Sequence, residues 1–272
     1  MYLGIFLTSF GLLAFEILST RILCFAAPNA TIPAILGISM LGLGCAAAAV
    51  GALSVKKASA LCDSWLPLLC LLNSLAIIGA FATATHMCAT ISRGVDQALA
   101  AGGGMAAADQ YLQAGGLSRL AILGALLAIP NFLGGLVITI LFRCAHSARQ
   151  GALYGMDLLG ASLGCLACVC VMEYGGYQWP LALVVGLPLA AGLCLAWKKE
   201  SRWCAGFMVL ATASACSVFN TVVCSYLEPR PNLNLVARTY QADQGGETAR
   251  EEWRTWNSYS RVAELAITNS QG

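Results

Sequence analysis

Three ionisable residues sit inside apolar runs where nothing nearby asks for a charge: Glu16, Arg21 and Asp157. Such a group at mid-membrane costs roughly 2.5–3.5 kcal/mol on insertion scales, so it faces a bundle interior or water. Glu16 and Arg21 are five residues apart, about 140° around a helix, and do not share a face. Each is therefore expected to meet a partner on another segment, and Asp157 is the natural counter-ion for Arg21. Two chemistries fit: a polar site for a cationic or zwitterionic ligand, or a buried ion pair that fixes helix register. Metal chemistry is not expected. The chain has 13 cysteines but only two histidines, His86 and His146. Most cysteines lie in apolar runs such as Cys165-x-x-Cys168-x-Cys170, where they behave as small hydrophobes.

The elements that must position these charges follow from composition. Of 272 residues, 58% are hydrophobic and 10% charged, against about 25% charged in soluble domains. A globule with so few charges would expose large apolar patches. A net charge of +2 with no basic face argues against nucleic acid as a partner. The expected fold is an all-α polytopic membrane protein with the lipid bilayer as its surroundings. Segments of about 20 apolar residues cross the hydrocarbon, and seven appear: 2–26, 32–55, 66–92, 118–142, 152–173, 179–197 and 203–226. A helical excursion is expected over 93–117, around Gly102, Gly103 and Gly104. The first segment lacks the basic start of a signal peptide and carries Glu16 and Arg21, so it reads as a span.

Basic residues orient the bundle. Lys56, Lys57, Arg143, Arg149, Lys198, Lys199 and Arg202 fall on one side, and Arg93, Arg119, Arg230 and Arg238 on the other. Seven against four puts the N-terminus in the cytoplasm. Gly160-x-x-x-Gly164 and the run from Gly42 and Gly44 through Ala46–Ala49 predict close helix approach. Pro130 and Pro188 are expected to kink their spans. Comparing spans one to three with four to six gives no internal repeat of the kind transporters usually carry.

After residue 226 the composition turns polar, defining two regions: 1–226, the transmembrane module, and 227–272, a tail. Val262 to Ile267 alternates weakly and reads as a strand, which needs a pairing partner. Trp253, Trp256 and Tyr259 also fit as interfacial aromatics near the headgroups.

Three segments resemble one family. Glu16, Thr20 and Arg21 are similar to the first-span E-x-x-x-T-R signature of membrane-fused spermidine synthase-like proteins. Tyr154, Asp157, Gly160 and Gly164 resemble that family's Y-x-x-D-x-x-G-x-x-x-G helix. Trp256-Asn257-Ser258-Tyr259-Ser260-Arg261-Val262 resembles the W-N-S-F-S-R-V entry to its soluble domain. The resemblance implies a bacterial inner-membrane protein whose multi-spanning block precedes a Rossmann-like aminopropyltransferase or methyltransferase-type domain. It also implies that Trp256, Asn257, Ser258, Ser260 and Arg261 belong to that domain's entry. Decarboxylated S-adenosylmethionine or S-adenosylmethionine would serve that domain, not this chain, in which no strand followed by a glycine-rich turn occurs after residue 246. The expectation is a chain that transfers nothing by itself. It is either a truncated reading of a longer enzyme, favoured by the retained tail motif, or a membrane subunit that docks a soluble catalytic partner. A component that moves an amine or other cation, and a scaffold without solute or chemistry, are the competing readings. Seven spans would put the tail outside the cytoplasm, where S-adenosyl donors are not made.

Overall fold

A computed structural model describes residues 1–26, 32–98, 104–175, 178–196, 206, 208, 209, 248–256 and 261–268. It contains helices α1 (Tyr2–Ala26), α2 (Ile32–Gly51), α3 (Val55–Ser64), α4 (Leu66–Ala98), α5 (Gly104–Cys144), α6 (Ser147–Gly175) and α7 (Gln178–Ala196), then strands β1 (Thr248–Trp256) and β2 (Arg261–Thr268). Among the described residues, six helices are long and apolar enough to cross a membrane: all but α3. Within hydrocarbon a helix satisfies its own backbone polar groups, which is why unbroken apolar runs take this form. The expected spans 2–26, 32–55, 66–92, 118–142, 152–173 and 179–197 map onto these six. The seventh, 203–226, lies outside the described residues apart from 206, 208 and 209.

Two boundaries differ from the sequence expectation. The second span stops at Gly51, and Lys56–Lys57 open the separate ten-residue α3 instead of a plain polar break. The excursion over 93–117 is largely the continuation of its neighbours: α4 runs to Ala98 and α5 starts at Gly104. At 41 residues, α5 is about 60 Å long, twice the roughly 30 Å hydrocarbon core. The span-length apolar stretch ends at residue 84 in α4 and begins at 121 in α5, so sequence hydropathy marks only the membrane-length part of each. Both α5 and α7 run as helices through Pro130 and Pro188.

Glycine contacts give the relative directions. A Cβ on Gly160 would lie 3.1 Å from the Cα of Phe6, and one on Gly164 3.1 Å from that of Phe10, so α1 and α6 run parallel. Likewise Gly124 faces Ile38 while Gly135 faces Leu43 and Ala46, so α2 and α5 run parallel. Gly4 against Leu195 and Gly11 against Leu187 make α1 and α7 antiparallel. Gly42 meets the backbone of Ala128 and Phe132, as its small size predicts, whereas Gly44 looks onto open space.

The core forms two layers along the bundle axis. One contains Ile5, Leu66, Val137, Ile140, Leu153 and Leu189; the other contains Phe15, Leu18, Ile77, Phe81, Leu123 and Val184. The Phe15 and Phe81 rings meet edge to face with centroids 5.4 Å apart. Exposed aromatics sit near helix ends: Tyr2 and Trp65 toward the end where α1 and α4 start, Tyr174 and Trp179 toward the other. That is the distribution of interfacial anchors in a membrane-embedded bundle.

In the tail, β1 pairs with β2 as an antiparallel hairpin, from Thr248 opposite Thr268 to Trp256 opposite Arg261, with an irregularity between Glu251 and Trp253. The strand expected at 262–267 thus lies within β2, and its partner is the segment just before it.

Candidate functional site

The three charges are half-buried and all belong to α1 and α6, and the parallel packing of that pair decides what each can reach. Asp157 does not meet Arg21. Its Oδ1 instead accepts a hydrogen bond from the hydroxyl of Ser9, a residue 2% exposed. Arg21 lies twelve residues beyond Ser9 on α1, about 18 Å further along the axis, which no pair of side chains bridges. The expected Arg21–Asp157 ion pair is therefore replaced by a charge-assisted hydrogen bond, worth about 1.5–3 kcal/mol. Sequence spacing left helix direction open, and a parallel pair holds these two residues at different depths.

Glu16 stands about two turns from Ser9. Seven residues return a helix to within about 20° of the starting direction, so the two share a face of α1. One carboxyl oxygen of Glu16, Oε1, is buried and has no hydrogen-bond partner. The same holds for the hydroxyl of Ser19, one turn on, which is 2% exposed. The neighbouring Thr20 hydroxyl donates to the Glu16 carbonyl at 2.7 Å and closes on its own helix. Asp157 and Glu16 are thus two separate acidic positions along one side of α1, and Asp157 is not neutralised by Arg21 in the way the sequence suggested.

Other polar side chains within the spans hold helices together. Asn131, 0% exposed, donates from Nδ2 to the Oγ of Ser39 at 2.7 Å and to its carbonyl at 3.2 Å. The Ser39 hydroxyl in turn donates to the Leu127 carbonyl at 3.3 Å. This joins α2 to α5 one residue from Pro130, where the helical ladder lacks a donor. Ser74 donates to the Val185 carbonyl at 2.9 Å, joining α4 to α7. At the bundle end, Arg143 donates to the carbonyls of Gly51 at 3.4 Å and Leu53 at 2.5 Å, closing the C-terminus of α2. The sequence reading gave no role to Ser9, Ser39 or Asn131. For Ser9 a signal existed in its seven-residue spacing from Glu16; for Ser39 and Asn131 only the fold supplies it.

Of the described cysteines, Cys70 and Cys168 are buried, whereas Cys45 and Cys170 are exposed. Cys168 is buried and directs its thiol to the Ala14 carbonyl at 3.5 Å. Among the described residues no group of three His, Cys, Asp or Glu side chains could hold a metal ion. Of the tail motif, Trp256 and Arg261 are described by their backbone as the pair closing the hairpin. Asn257, Ser258 and Ser260 lie outside the described residues. No family model, curated protein or solved structure matches the chain.

Proposed function

We propose that this chain is the membrane module of a spermidine synthase-like protein, anchoring or feeding an aminopropyltransferase- or methyltransferase-type domain. One observation carries the reading. The two span segments that resemble the family, Glu16–Arg21 on α1 and Tyr154–Gly164 on α6, belong to helices packed directly on each other. The two glycines of the second segment form that contact, on the Phe6 and Phe10 backbone. A paired signature on one helix–helix interface has a common structural purpose. On this reading the bundle sits in a bacterial inner membrane with its N-terminus in the cytoplasm, as the basic residues at that end favour. Decarboxylated S-adenosylmethionine or S-adenosylmethionine serves the soluble domain alone.

The test is to purify the native protein from its own membranes and determine its intact mass. The same preparation is then assayed for aminopropyl or methyl transfer to amines from labelled donor. Transfer that co-purifies with a polypeptide containing this sequence supports the reading. A 28.4 kDa product without transfer activity, alone or with its co-purifying proteins, overturns it.

The buried, unpartnered Glu16 oxygen favours a second reading, a component that binds or moves an amine or other cation. Its assay is cation or amine uptake into proteoliposomes, compared between the wild type and Glu16→Gln.

A further inference from the structure

We infer that the space beside Glu16 and Ser19 on α1 binds one monovalent cation, either an alkali ion or a protonated primary amine. The inference rests on the second reading above and specifies its ligand. Two oxygens three residues apart, Glu16 Oε1 and Ser19 Oγ, are both buried without a partner. Side chains at that spacing are neighbours on a helix surface, so the two oxygens belong to adjacent positions on one face of α1. In hydrocarbon no bulk water is at hand to satisfy them.

Several polar groups on α1 and elsewhere in the bundle are engaged with other partners. Thr20 donates to its own helix, Ser9 is bonded to Asp157, and Arg143 closes α2 at the far end of the bundle. Arg21 points about 140° away from Glu16 around α1. What is missing is positive charge that binds oxygen. An ionised carboxylate only accepts hydrogen bonds, and a serine hydroxyl has lone pairs to add to it. The single carboxylate sets the valence: a divalent ion would remain half neutralised in a low-dielectric site, and calcium takes six to eight oxygen ligands. One carboxylate with one hydroxyl suits an alkali ion or an ammonium headgroup.

The experiment uses the full chain in lipid nanodiscs and follows its thermal unfolding midpoint during titration with sodium, potassium or methylammonium chloride. Choline chloride holds ionic strength constant. A saturable rise in the midpoint with at least one of the three is expected. Its apparent affinity should fall at least tenfold in Glu16→Gln and about threefold to tenfold in Ser19→Ala. An alkali-selective response identifies an ion site, a methylammonium-selective one an amine site, and either supports the inference. A flat wild-type titration overturns it, as does Glu16→Gln titrating like wild type. If Glu16→Gln does not fold, infrared difference spectra of the wild type decide. A carboxylic-acid carbonyl band that cation addition removes supports the site, and one that persists at saturating cation overturns it. Cation and amine uptake into proteoliposomes is measured separately, so failure of the transport reading and failure of this site are told apart.

Discussion

The α1–α6 interface makes the sharpest stability prediction, because two glycines there face backbone and not side chain. An alanine at Gly160 would place its methyl 3.1 Å from both the carbonyl carbon and the Cα of Phe6, with the carbonyl oxygen closer still. Gly164 meets Phe10 in the same way. A flexible side chain could swing aside, but a helical carbonyl cannot without breaking its own hydrogen bond. The helices must therefore separate locally, and overpacking of this kind costs about 1–3 kcal/mol. Separation also lengthens the Ser9–Asp157 hydrogen bond, which puts Gly160→Ala toward the upper end, near 3 kcal/mol. Gly155 lies on the same helix, but its added methyl would meet nothing within 4 Å. Gly155→Ala should thus be neutral, or stabilising by about 0.5–1 kcal/mol through helix propensity. Reversible unfolding of the full chain in mixed micelles, monitored by tryptophan fluorescence, measures both. The double change Gly160→Ala with Gly164→Ala should cost less than the sum of the singles, since the first already parts the helices. If Gly160→Ala lies within 0.5 kcal/mol of Gly155→Ala, the close parallel packing of α1 on α6 is refuted.

The other predictions concern the polar contacts. Asp157→Ala leaves the buried Ser9 hydroxyl without its partner and should destabilise by about 1–3 kcal/mol, whereas Asp157→Asn keeps an acceptor and should recover most of that; thermal unfolding in micelles separates the two. Asn131→Ala and Ser39→Ala, combined in a double-mutant cycle, should show a coupling of about 0.6 kcal/mol and no more than about 1.7, whereas additive losses would mean the two do not interact. Arg143→Ala frees the C-terminal carbonyls of α2, so limited trypsin digestion should cut faster at Lys56–Lys57. Because its partners are carbonyls and not carboxylates, salt should change this rate little in the wild type.

Much of the architecture was readable from hydropathy because the bilayer imposes one length scale on every span. The starts of α1, α2, α4 and α7 fall on or within one residue of the positions read from sequence. The missed features lie where that length scale ceases to apply. α3 is too short and too polar to register as a span, and the outer parts of α4 and α5 are helices without an apolar run. The candidate site was read less well for a different reason. Side-chain type identified Glu16, Arg21 and Asp157, but pairing depends on helix direction and depth, which spacing within single helices does not contain. Opposite charge made Arg21 the obvious partner for Asp157. The structure chose a neutral serine at the right depth, and that choice could not be read without knowing that α6 runs parallel to α1.

That pairing bears on what α6 is for. Its span is the least buried of the six, with Tyr154, Leu158, Leu159, Leu163 and Leu166 exposed, and it packs mainly on α1. Lipid is as apolar as those leucines, so no hydrophobic force holds α6 in place. Its attachment comes from close contact at Gly160 and Gly164, from the hydrogen bond at Asp157 and from the Cys168 thiol on the Ala14 carbonyl. A carboxylate is a costly way to attach a helix, since a serine or asparagine would bond Ser9 at smaller insertion cost. An acid kept where a neutral group would serve argues that its charge or its proton is used, whereas a scaffold needs only the bond. The Asp157→Asn variant therefore divides the readings on one substitution. A scaffold tolerates it in every assay, while a working membrane module keeps its fold and loses its activity.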